Sequence, residues 1–158
     1  MTKLRADYIN KGKVVFSYRQ YPLPFHPHAQ KAAEANICAG EQGKFWEMHD
    51  AIFVDISKIE PSHLKEHAKK IGVKQSKFES CLDSGKFKEA VEKDASDGAS
   101  VGIRGTPGFV VGKVDHKNKT VTGKIISGAY PYQTFKDQIE ETLKAVDLIA
   151  AEDTRHTK

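Results

Sequence analysis

The five residues His63, Leu64, Lys65, Glu66 and His67 have a spacing that could do chemistry. Two histidines four positions apart on a helix project to one side, where they can share a zinc ion with the intervening glutamate as base. This gives a zinc hydrolase as one reading of the chain. A third ligand has no compelling candidate, however, and a charge-laced, solvated helix accounts for the same residues. His26 and His28 bring only two imidazoles to a proline-rich loop and read as loop-to-helix packing and capping, while His49 reads as a core or boundary histidine. The expectation is therefore no metal and no cofactor.

Thiol chemistry is the other candidate. Cys38 and Cys81 are the two cysteines, 43 positions apart. That spacing fits no zinc ribbon, and two cysteines are too few for a disulfide scaffold. Neither has a second cysteine three positions on, so the chain has no Cys-x-x-C. Cys38 falls late in a helical stretch, where the helix dipole disfavours a thiolate. A buried core role suits both. The segment Gly105-Thr106-Pro107-Gly108 is a third point of interest, and taken alone it reads as a turn, since an X-Pro bond is cis in only about 5–6% of cases.

The elements that must position these residues follow from periodicity. Residues 4–12 read as the end of a helix closed by Gly12, and the β-branched and aromatic run Val14–Tyr18 as a strand. Three prolines in 19–27 make an extended loop. Ala29, Ala32, Ala33, Ile37 and Gly40 recur at helical spacing, and Phe45, Trp46, His49, Ile52 and Phe53 can share one side of the next helix. Helices are predicted again over 61–72, 76–85 and 86–102. Two strands, 108–112 and 120–128, joined by the polar turn 115–119, lead to a closing helix from Tyr132. The order is strand, helices, hairpin, helix.

Composition bounds the function class. The chain has 158 residues with 39% hydrophobic and 9% aromatic residues, enough for one domain with a real core. Its 25 Lys and Arg alternate with 21 Asp and Glu, so a solvated surface is expected and no nucleic-acid footprint. No apolar run approaches the eighteen or so residues of a membrane span. The N-terminus lacks the apolar stretch of an export signal, which predicts a cytoplasmic location for the chain as written.

Taken together, the loop 19–29, the helix Gln42–Asp50, the segment Ser80–Phe87, the stretch Gly102–Gly112 and Gly128 resemble the DsbA-like thiol:disulfide oxidoreductases of the thioredoxin superfamily. The resemblance spans residues 4–146. It implies an α/β, thioredoxin-like fold with an inserted helical domain, in which 28–99 form mainly the helical insert, 1–27 and 100–150 the thioredoxin part, and 151–158 a tail. It also implies that the first strand and the Cys-x-x-C would precede Met1. A redox-inactive chain is then expected, with no catalytic residues, or a redox-silent peptide-binding or chaperone-like module.

Further expectations come with the family. A cis bond at Thr106–Pro107 is implied, with both residues binding an extended polypeptide substrate by strand addition. Relatives often carry cysteines at both positions, so Cys38 and Cys81 are candidates for a structural disulfide. The partners implied are thiol or disulfide polypeptides and a redox partner. The strands at 14–18 and 108–112 would lack their neighbour, which predicts self-association through open strand edges. Relatives mostly work outside the cytoplasm.

Overall fold

The structure is a computed structural model that describes residues 2–153. The chain divides into two compact units, one formed by Arg19–Val101 and the other by Met1–Tyr18 with Gly102–Lys158. Its elements are α1 (Thr2–Leu4) running into a π-turn (Arg5–Ile9), then α2 (Ala29–Gly40), α3 (Phe45–Val54), α4 (Pro61–Lys70), α5 (Gln75–Asp83), α6 (Lys88–Ser100), β1 (Gly108–Asp115), β2 (Thr120–Ser127) and α7 (Tyr132–Asp153). It is an α/β chain with a block of helices set between the opening turns and the hairpin, in the order expected.

Within Arg19–Val101 the central element is α2, which meets α3, α4, α5 and α6. Small residues explain how one helix serves four neighbours. Ala32, Ala33, Ala35 and Ala39 are buried and present only methyl groups, so the surrounding helices approach closely. Met48, Leu64, Ala68, Phe78 and Leu82 complete the core from α3, α4 and α5. The expected apolar side of α3 is met at Ile52 and corrected at its aromatic residues. Met48 and Ile52 face the core, whereas Phe53 is 60% exposed and Trp46 only partly covered. Helical ends follow local chemistry: Pro61 sits in the first turn of α4, and Gly43 and Gly72 take the positive φ that ends the preceding helices.

In the other unit, β1 and β2 pair antiparallel, from Gly108↔Ser127 to Asp115↔Thr120. The turn is set by Asp115, whose carboxylate accepts the backbone N–H of Lys117 (2.9 Å) and Asn118 (3.1 Å). One face of the hairpin packs on α7 through Phe109 and Phe135, with ring centroids 4.8 Å apart, and through buried Ile126. The run Val14–Tyr18, expected as a strand, is not one. Burial still alternates along it, with Val15 and Ser17 exposed between half-buried Val14, Phe16 and Tyr18. The side-chain pattern of a strand is therefore met, but the sheet among the described residues is made of β1 and β2. Helix α7 carries on to Asp153, into the expected tail, and the rest of that tail, 154–158, lies outside the described residues.

The opening turns are tied to α7 by two phenols. Tyr8 donates its hydroxyl to Glu140 Oε1 (3.0 Å), and Tyr132 donates to Asp7 Oδ2 (2.5 Å). Burial, then the Glu140 bond, pushes the Tyr8 phenol up. The bond to Asp7 raises Tyr132 to about 12. A folded-state pKa above the unfolded value means stabilisation that is present below about pH 10 and lost as pH rises toward 12. Absorbance at 295 nm is therefore expected to show late-ionising phenols, and Asp7→Asn should shift one of them back toward 10. An unchanged titration in that variant would remove Asp7 as the cause.

Candidate functional site

Hydrogen-bond alternation along β1 leaves one edge of the strand facing away from β2. Gly128 donates its N–H to the Pro107 carbonyl (2.8 Å), which places Pro107 in a hydrogen-bonded pair with the β2 side. Antiparallel ladders alternate, and the register runs without a bulge to Asp115. Gly108, Val110, Gly112 and Val114 therefore direct their N–H and C=O groups away from β2. Among the described residues the sheet has only these two strands, so that edge carries no partner strand.

The same four residues share a face. Side chains at alternate positions line one side of a strand, and the side opposite α7 carries Val110 beside Ile125 and Val114 beside Val121. All four are between 41% and 51% exposed, which leaves a β-branched strip open along the free edge. Gly108 and Gly112 keep the edge narrow. A Cβ at Gly108 would stand 2.8 Å from Ile103 Cγ2, and one at Gly112 2.2 Å from the Thr122 carbonyl oxygen.

Thr106 and Pro107, the substrate-binding pair expected from sequence, lie at the start of this edge, both exposed. Their peptide bond is cis. The rest of the edge was missed. Its signal was available, because Gly112 and Gly123 are equidistant from the Asp115–Thr120 turn and mark where two backbones meet.

Cys38 and Cys81 are joined in a disulfide, with Cα atoms 5.9 Å apart, within the 7 Å that a bridge requires. This corrects the expectation of a redox-inactive chain. Lacking a Cys-x-x-C does not leave the protein without a cysteine pair, since the bridge is itself a two-electron couple. The bridge is the one the family resemblance implied; spacing could not show it, because residues 43 positions apart meet only where α2 and α5 pack side by side. Three further contacts hold the same helices. Lys31 Nζ donates to the Leu82 carbonyl (3.1 Å), Gln42 accepts the Lys74 N–H (2.8 Å), and Lys86 pairs with Glu41 (2.5 Å).

The histidine readings resolve differently. His67 donates Nε2–H to the Lys58 carbonyl (3.0 Å), Glu66 is exposed, and no group of three ligating side chains forms among the described residues. Among the described residues His63 and His67 gain no third ligand. His28 occupies the position before α2 in a left-handed conformation (φ 64°) and accepts the Ala32 N–H on its carbonyl, a cap made by backbone. His26 stacks on Phe25 at 4.6 Å, and His49 lies between Trp46 and Phe53.

A sequence model of the family described as Thioredoxin matches residues 1–141. The chain belongs to the thioredoxin family. Its fold is DsbA-like: the crystal structure of Wolbachia pipientis alpha-DsbA1 superposes with a TM-score of 0.73 at 21% identity, covering 94% of this chain and 78% of that one. A likeness at this identity speaks for the fold. Among curated proteins, this thioredoxin-family chain is 38% identical over 112 residues to Na(+)/H(+) antiporter NhaA 3 of Salinispora tropica, covering 69% of this chain and 16% of that protein. It is 32% identical over 118 residues to Na(+)/H(+) antiporter NhaA of Herminiimonas arsenicoxydans, covering 75% and 17%. The chain thus spans about one sixth of the length of these relatives, and the antiporter name is theirs. No helix among the described residues is long and apolar enough to cross a membrane.

Proposed function

We propose that this thioredoxin-family chain serves protein disulfide exchange by docking extended polypeptides as an added strand along Thr106–Val114. The observation that carries the reading is the edge of β1 that faces away from β2, where Gly108, Val110, Gly112 and Val114 present their hydrogen-bonding groups and which follows directly on Thr106 and Pro107. Main-chain bonds give such docking its affinity, and side chains at alternate positions give it preference. The exposed strip of Val110, Val114, Val121 and Ile125 selects β-branched and other apolar residues.

The test uses a capped nine-residue peptide of alternating Val and Thr, titrated into the intact chain and followed by NMR. Saturable shifts at Gly108, Val110 and Val114 are expected. A peptide N-methylated at alternate amides cannot pair along one edge and should bind at least about tenfold more weakly, the equivalent of one lost hydrogen-bonded register. Equal binding of both peptides, or shifts confined to other elements, would reject the reading. A second copy of the chain competes for the same edge, so sedimentation velocity across a concentration series separates self-pairing from peptide docking.

A further inference from the structure

We propose that the Cys38–Cys81 disulfide is opened in the folded chain by small carboxylate-bearing thiols that enter a groove between α2 and α5. Both cysteines line this groove, which measures about 540 Å³. Cys81 keeps 7% exposure and Cys38 1%, so the sulfur on α5 takes the attack.

Charge decides which thiol. Lys74, Lys77 and Lys86 line the groove with Glu41. Glu41 and Lys86 neutralise each other at 2.5 Å. Neither Lys74 nor Lys77 makes an ion pair with any described carboxylate, so the groove keeps two uncompensated positive charges. Ser76 and Ser80 add exposed hydroxyls on the same wall. Against this, both cysteines lie in the last turns of their helices, where the carbonyl ends oppose a developing thiolate. Lysines beside the sulfur offset that field and lower the cost of the ionised state. They also concentrate anionic thiols at the entrance.

In the first step the thiolate RS⁻ forms a bond to Cys81 Sγ as the Cys38–Cys81 bond breaks, and Cys38 leaves as a thiolate that takes up a proton from water. A second RS⁻ then attacks the mixed disulfide at the sulfur of R and releases Cys81, which is protonated in turn. Two thiols become RSSR, and the protein disulfide becomes two thiols, a transfer of two electrons.

The experiment exposes the oxidised chain, without denaturant, to mercaptosuccinate, 2-mercaptoethanol and cysteamine at equal thiolate concentration. Opening is read by alkylation and mass spectrometry. The anionic thiol is expected to react at least about tenfold faster than the cationic one, with the transient adduct on Cys81. The double variant Lys74→Gln, Lys77→Gln should lose that preference while keeping its circular dichroism and melting temperature. Equal rates across the three thiols, an adduct on Cys38, or opening that proceeds only at the rate of global unfolding would overturn the proposal.

Discussion

Gly123→Ala is expected to dismantle the β1–β2 hairpin. A Cβ at this position would lie 2.1 Å from the Val111 carbonyl oxygen and 2.5 Å from Gly112 Cα, and the atoms it meets are backbone. No rotamer change can relieve such a contact. The two strands must separate or shift register, and either movement lifts Ile126 and Phe109 from α7. Overpacking of a tight site usually costs about 1–3 kcal/mol, and a clash with main chain belongs at or above the upper end. Gly112→Ala should behave alike, because its Cβ meets the Thr122 carbonyl from the other strand. The measurement is chemical denaturation of each variant beside Gly105→Ala, whose Cβ meets nothing within 4 Å. Equal midpoints for Gly123→Ala and Gly105→Ala would show that the strands do not approach as described.

The legible and illegible parts of this chain differ in a physical way. Helices α2, α4 and α5 and the hairpin could be read from sequence because their causes are local: Pro61 opens a helix, Gly72 closes one, and Asp115 folds its own turn. Val14–Tyr18 shows the limit of that logic. Its alternation is real, yet which strands join a sheet is decided by pairing far along the chain, and here the sheet is built from β1 and β2. The burial of the α3 aromatic residues failed for a related reason. The expected side, Phe45, Trp46, His49, Ile52 and Phe53, has helical spacing, but contact with α2 buries Ile52 together with Met48 and leaves the aromatic residues partly covered.

The candidate sites divide in the same manner. Thr106 and Pro107 were found through resemblance, whereas the edge that continues from them to Val114 needed the register of β2. The loss of redox chemistry was inferred from a missing motif. A motif reports on cysteines near in sequence, and Cys38 and Cys81 are near only in space.

Removing that bridge is the change expected to cost the Arg19–Val101 unit most. A cross-link that closes a loop of 43 positions restricts the unfolded chain by about 4 kcal/mol in the chain-entropy relation. Cys38→Ala with Cys81→Ala is the cleanest test, since alanine leaves no buried hydroxyl beside Ala35 and Leu82. The Lys31–Leu82, Gln42–Lys74 and Glu41–Lys86 contacts remain in that variant and keep α2 against α5. Native structure should therefore persist in water while the unfolding free energy falls by about 4 kcal/mol, a large share of the 5–15 kcal/mol of an ordinary domain. Because the effect acts on the unfolded chain, unfolding curves of the wild-type chain under reducing conditions should coincide with those of the double variant. Wild-type midpoints that are equal with and without reductant, the reduced state having been verified by alkylation, would show that the bridge adds nothing the three polar contacts do not already provide.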